Sequence, residues 1–196
     1  MKNKGFFIVI EGVDGSGKTT QAEKLANWLE NTTGKKTLRT AEPFILRELI
    51  LGKKDLGALS ELLLFLADRA EHVNKIISPA LENGNNVICE RYNDSTLAYQ
   101  AGGHAIEISR VKNLIDVCNF PEPDAKIFFD LSPEIAFSRV KERGNKNDKF
   151  EAEGLELIKK VSDFYKSLDG FIKINCDNKD EEKIFNETIS KLEDLI

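Results

Sequence analysis

Residues Gly12 to Thr19 read GVDGSGKT and fit the pattern G-x-x-x-x-G-K-[ST], which constrains the fold more than any other feature of the chain. Just before it, Phe6-Phe7-Ile8-Val9-Ile10 is a continuous apolar run of strand length, as in a strand buried on both faces. Just after it, Ala22, Leu25, Ala26 and Leu29 recur at helical spacing, with Gly34 beyond the expected end. Strand, glycine-rich turn and helix in that order wrap backbone N–H groups around a phosphate, with the positive end of the helix behind it. The candidate nucleotide contacts are therefore Gly12, Val13, Asp14, Gly15, Ser16, Gly17, Lys18, Thr19 and Thr20. Lys18 is suited to the outer phosphates and the Thr19 hydroxyl to Mg²⁺. The loop implies ATP or another nucleoside triphosphate as ligand.

The rest of the chain repeats the alternation. Thr37–Thr40, Val87–Cys89, Ile127–Leu131 and Phe171–Ile174 read as further strands. Between them lie helical patterns. One is a short helix around Leu46, Leu49 and Ile50. The longest carries Leu59, Leu62, Leu63, Leu66, Ala70, Val73, Ile77 and Leu81, and others follow near Ser95, through Ile108, Val111 and Ile115, from Leu157 to Leu168, and from Phe185 to Ile196. Ser132-Pro133-Glu134 opens another helix, with serine suited to the N-cap and proline to the first turn. The expectation is an α/β chain of the P-loop NTPase fold. Its five-stranded parallel sheet is flanked by helices on both faces, within one domain over residues 1–196. A break at Gly144 and the polar stretch after it suggest a short lid at about 143–150.

Composition narrows the class. With 28 basic and 33 acidic side chains the net charge is −5, the wrong sign for a protein that lives on a nucleic-acid backbone. No apolar run approaches the roughly 20 residues of a membrane helix. The apolar stretch near the N-terminus is also too short for a secretory signal. Cys89, Cys118 and Cys176 are scattered without metal-ligand spacing and read as reduced thiols of a cytoplasmic protein.

Cations beyond Lys18 point to a second charged ligand. Arg47, Arg69, Arg91 and the late group Arg139, Lys141, Arg143, Lys146 and Lys149 could grip two phosphorylated molecules end to end. Arg91 follows the end of an apolar strand, where ligands bind in open α/β sheets, and Glu90 beside it is placed like a carboxylate that holds Mg²⁺ through water. Asn145-Lys146-Asn147-Asp148 matches the guanine-reading N-K-x-D. It follows a helix rather than an apolar strand, however, and no D-x-x-G accompanies it, so a GTPase is disfavoured.

Three blocks in register carry a family resemblance: Phe7–Gln21 (FIVIEGVDGSGKTTQ), Leu62–His72 (LLLFLADRAEH) and Glu90–Gln100 (ERYNDSTLAYQ). Together they resemble the thymidylate kinases. The resemblance implies phosphoryl transfer from MgATP to dTMP and, as is common in that family, a homodimer. It further implies that Phe65 stacks on thymine, that Arg69 and Gln100 meet the base edge, and that Arg91 and Arg47 hold the acceptor phosphate with Ser95 nearby. Asp14 would approach the sugar 3′-hydroxyl, and Tyr99 would fill the space of a ribose 2′-hydroxyl. Arg143, Lys146 and Lys149 would supply catalytic charge from the lid, because Gly15 stands where some relatives carry arginine; Arg143 could instead pack on adenine.

The chain departs from the family pattern in places. Glu42-Pro43 runs straight into Phe44-Ile45-Leu46-Arg47, which shortens the usual loop before Arg47. Glu90 replaces a commoner aspartate, Lys149 an arginine, and His104 an arginine. A kinase for another nucleoside monophosphate and a P-loop regulatory ATPase or non-catalytic paralogue stay open as alternatives.

Overall fold

A computed structural model describes residues 4–52, 56–143 and 154–196. Five strands form one wholly parallel sheet: β1 (Phe7–Glu11), β2 (Thr37–Ala41), β3 (Asn86–Glu90), β4 (Ala125–Asp130) and β5 (Ile172–Asn175), in the spatial order β2-β3-β1-β4-β5. The central strand β1 is buried along its whole length, as its unbroken apolar run requires. It pairs Ile10 with Glu90 on one side and with Ile127 on the other. The chain leaves β1 toward β2 on one side and reaches β4 on the other. The crevice at the carboxyl ends of β1 and β3 is therefore the topological switch point where ligands bind in such sheets.

Helix α1 (Lys18–Thr33) starts directly from the phosphate loop and ends at Gly34, whose left-handed backbone lets its N–H reach the Glu30 carbonyl. A short α2 (Arg47–Leu51) follows β2. The long helix read from the Leu59–Leu81 pattern is present but not regular. It comprises α3 (Ala58–His72), a π-helical turn over Val73–Ile77, and α4 (Ser78–Glu82). After β3, α5 (Asn93–Thr96) runs into a second π-helical stretch, Leu97–Gly103. Helices α6 (Ile108–Cys118), α7 (Pro133–Arg143), α8 (Gly154–Ser167) and α9 (Glu181–Leu192) complete the layers.

Two apolar clusters cover the faces of the sheet. One joins α1 and α8 to β1, β4 and β5, and the other sets Val73, Ile77 and Leu81 against Phe7, Val9 and Val87. A third packs Leu62 and Leu66 of α3 against Leu97, Val111 and Ile115, which accounts for part of the apolar run in α3, while Leu59 and Leu63 stay exposed. The Ser132 hydroxyl, at the start of α7, donates to Asp177. Lys146 and Lys149, with most of the expected lid, lie outside the described residues, and so does the side chain of Arg143. Among the described residues, no helix is long and apolar enough to cross a membrane.

Candidate active site

The phosphate loop bridges the end of β1 and the first turn of α1. Gly12 has a φ of 145°, and a Cβ there would stand 2.9 Å from the Phe129 carbonyl oxygen, so only glycine leaves the strand in this way. Gly15 is still tighter: a Cβ would come within 2.6 Å of the Ala136 carbonyl oxygen in α7. The loop thus lies directly against α7, whose Arg139 donates to the Gly15 carbonyl at 3.2 Å. Of the late basic group, Arg139 is the member seen against the loop.

Lys18 is buried and folds back to donate to the Gly12 and Val13 carbonyls at 3.0 and 2.9 Å. Burial, followed by the Arg91 charge, brings its ammonium down to about 8. The Ser16 hydroxyl is buried with no hydrogen-bond partner among the described residues, a donor free for an anion in the loop. Thr19 donates to Glu90 Oε2 at 2.7 Å, which brings the two expected metal-holding residues together from α1 and β3. An oxygen-only pair of this kind is the donor set that Mg²⁺ selects.

Arg91 occupies the crevice beside the loop. Its backbone is left-handed, with φ of 70°, a conformation that a side chain of this size adopts only under constraint. Neighbouring β1 supplies the constraint. The buried Glu11 carboxylate accepts from the backbone N–H groups of Tyr92 and Ser95 and from the hydroxyls of Ser95 and Tyr165. This fastens the turn just after Arg91 to the end of the strand. The guanidinium then meets Asp14 at 2.6 Å and Tyr99 Oη at 3.2 Å, and reaches toward Ser95. Burial opposes the Asp14 charge, but Arg91 and then Lys18 overrule it and hold this carboxyl well below the usual range.

Glu11 shows the opposite balance. Burial first, then the Asp94 charge, push its carboxyl up, against the Ser95 and Tyr165 hydroxyls and the Arg91 charge. In the window above the ordinary 4.5 the folded state keeps a proton that the unfolded chain has released. Stability therefore falls as pH rises through that window. Glu11→Gln keeps one oxygen for the two backbone donors and offers an NH₂ to the two hydroxyls, so it is expected to fold and to lose this pH dependence. Denaturant unfolding of both proteins at pH 5 and pH 8 measures it. Stability that changes in parallel in the two would remove Glu11 as the source.

Beyond Arg91, a cavity is lined by Pro43, Phe65, Arg69, Thr96 and Tyr99. It shares Asp14, Glu42, Arg47 and Arg91 with the cavity over the phosphate loop. The shortened loop after Pro43 therefore brings Arg47 to the wall common to both. Asp68, fully buried on α3, shapes that loop by accepting the backbone N–H groups of Phe44, Ile45 and Leu46 at 2.5–2.8 Å.

Arg69 is largely committed to structure. Its Nε and Nη2 donate to Glu42 Oε2 at 2.8 and 2.6 Å, Nη2 also to the Tyr92 carbonyl, and Nη1 to Asn93. These contacts leave one Nη1 hydrogen for the cavity that Arg69 lines. Gln100 is buried beside the cavity rather than among its lining residues, with its amide on Glu61. His72 is enclosed by Thr40, Glu42 and the Phe44 ring, which accords with a structural role. Glu11, Glu42, Asp68 and Tyr165 were not singled out by sequence reasoning; the signal available for Glu11 was a carboxylate closing a fully apolar run.

The arrangement has counterparts among known proteins. A family model described as thymidylate kinase matches residues 10–187. A thymidylate kinase of Prochlorococcus marinus (strain AS9601) is 44% identical over 182 residues, covering 84% of each chain. One of Synechococcus sp. (strain JA-3-3Ab) is 41% identical over 169 residues, covering 83% of this chain and 80% of that one. The crystal structure of thymidylate kinase from Ehrlichia chaffeensis superposes with a TM-score of 0.74 at 32% identity, covering 97% of this chain and 99% of the other. Parallel sheet, phosphate loop, arginine crevice and sequence similarity along most of the chain agree: the chain belongs to the thymidylate kinase family.

Proposed function

We propose that this enzyme transfers the γ-phosphoryl group of ATP to the phosphate of dTMP, giving dTDP and ADP. The observation that carries the reading is the wall of Asp14, Glu42, Arg47 and Arg91 common to the two cavities. A donor over the phosphate loop and an acceptor against Phe65 would meet there, with two guanidinium groups at the junction. The attacking group is already an oxyanion, so no general base is needed and catalysis rests on alignment and charge. Lys18 and the loop N–H groups bind the donor phosphates. Arg91 and Arg47 hold the acceptor phosphate with Ser95 beside it, and Asp14 lies at the sugar. Phe65 stacks on the base, Tyr99 fills the 2′ side, and Arg69 and Gln100 meet the base edge.

Thr19 and Glu90 are the residues that would hold Mg²⁺, which when bound neutralises charge on the transferring group. Arg143, Lys146 and Lys149 complete the donor side in this reading, Arg143 either at the phosphates or against adenine. A cytoplasmic homodimer belongs to the same reading, with exposed Leu59 and Leu63 as its support. ADP release with MgATP against dTMP, dUMP, UMP, CMP, AMP and GMP tests the function. Turnover is expected with dTMP, falling by roughly 10³-fold in Lys18→Ala. Turnover confined to another acceptor would reassign the substrate, and ATP binding without any turnover would indicate a non-catalytic paralogue.

A further inference from the structure

Glu61, Phe65 and Arg69 follow one another at single-turn spacing along α3, and Thr96 and Gln100 stand one turn apart on α5 and its π-helical continuation. Phe65, Arg69 and Thr96 line the acceptor cavity. Glu61 and Gln100 are thus the next turn of each helix beyond it. There the fully buried Gln100 donates Nε2 to Glu61 Oε1 at 2.7 Å, and His104 Nδ1 lies 3.5 Å from the same oxygen. A carboxylate can only accept, so this contact fixes the Gln100 amide: NH₂ on Glu61, carbonyl oxygen turned away.

That carbonyl oxygen and the Thr96 hydroxyl are both buried without a hydrogen-bond partner among the described residues. Buried polar atoms are ordinarily paired; Thr96 lines the acceptor cavity and Gln100 stands one turn beyond it, so a polar ligand edge at this end of the cavity could supply the missing partners. We propose that Glu61 is a positioning residue for acceptor choice, which presents the Gln100 carbonyl oxygen to the base. The site would then favour a ring edge carrying an N–H, the imide of thymine or uracil, over the lone pair that cytosine carries at the same atom. This rests on the dTMP reading above and adds the residue that orients the selecting group. The Thr96 hydroxyl, able to donate and accept, suits the neighbouring position on either ring and so adds affinity more than choice.

The test is Glu61→Gln, in which residue 61 can donate as well as accept, so the Gln100 amide is free to turn over. Binding of dTMP and of 5-methyl-dCMP is measured by titration calorimetry alongside kcat and KM for dTMP. The two ligands share the methyl group and differ only at the edge in question. Wild type is expected to prefer dTMP by roughly 100-fold or more, and Glu61→Gln to lose at least roughly tenfold of that preference, with KM for dTMP rising and kcat nearly unchanged. Glu61→Asp keeps an acceptor-only group and is expected to keep the preference even where both affinities fall. An unchanged preference in Glu61→Gln assigns Glu61 to the scaffold and overturns the proposal. If Glu61→Gln does not fold, a preference lost in Glu61→Asp overturns it equally. Wild-type protein that neither binds nor phosphorylates dTMP would instead overturn the acceptor assignment itself.

Discussion

Arg91→Met is expected to lower kcat/KM for dTMP phosphorylation by roughly 10³-fold, because one positioned cation on transferring phosphoryl charge is worth that much. The side chain lies between the two cavities, paired with Asp14 at 2.6 Å and with its guanidinium carbon 5.0 Å from the centre of the Tyr99 ring. Methionine removes the charge and keeps most of the length, so the loss cannot be ascribed to an emptied crevice. Arg91→Lys restores a point charge without the fork and should recover only part of the rate. The backbone supplies an independent check. At φ of 70° a side chain costs about 1 kcal/mol that glycine does not, so Arg91→Gly should be as inactive as Arg91→Met yet more stable by about that amount. Steady-state kinetics and denaturant unfolding of the three variants decide the matter. Activity of Arg91→Met within tenfold of wild type would remove Arg91 from the reaction.

Arg69→Met should unfold more easily by about 3–5 kcal/mol, since it leaves the Glu42 carboxylate buried without its main partner. In a chain of this size that corresponds to a fall in Tm of roughly 6–20 °C. The pair is almost wholly excluded from water, with side-chain exposures of 1% and 3%. The Tyr92 and Phe120 rings also lie within 6 Å of the guanidinium carbon, so much of its surroundings is apolar. Removing both charges in Glu42→Leu/Arg69→Met should return much of the lost stability, as replacing a buried ion pair by apolar side chains commonly does. Thermal unfolding of the two single variants and the double variant completes the cycle. A loss below about 1 kcal/mol for Arg69→Met would mean that the Glu42 charge is compensated elsewhere, with His72 Nδ1 at 3.2 Å the first place to look.

These two arginines also show what the sequence revealed and what it withheld. Arg91 was legible because its neighbours in sequence explain it: an apolar strand ends, an acid follows, and the next residue faces the crevice. The phosphate loop was legible for the same reason, since all its parts lie within a few residues. Arg69 read as a ligand contact, but its pairing with Glu42, which lies 27 positions earlier, could not be read. Nothing local marks that pairing. Glu11 holding Ser95 and Tyr165, and Asp68 holding the loop at Phe44, depend in the same way on strands and helices already packed. The π-helical turn at Val73–Ile77 escaped for another reason: one extra residue per turn leaves the apolar stripe continuous, so the Leu59–Leu81 pattern reads as unbroken.

The contact between Gly15 and Ala136 bears on how such a chain can evolve. A single base change in a glycine codon can introduce arginine at position 15. In this backbone any side chain at 15 meets the Ala136 carbonyl, a main-chain atom that no substitution at 136 removes. The change would have to wait for a prior displacement of α7, a step that brings no catalytic benefit by itself. For a chain packed like this one, the obstacle therefore lies in the order of the mutations rather than in the merit of the new side chain.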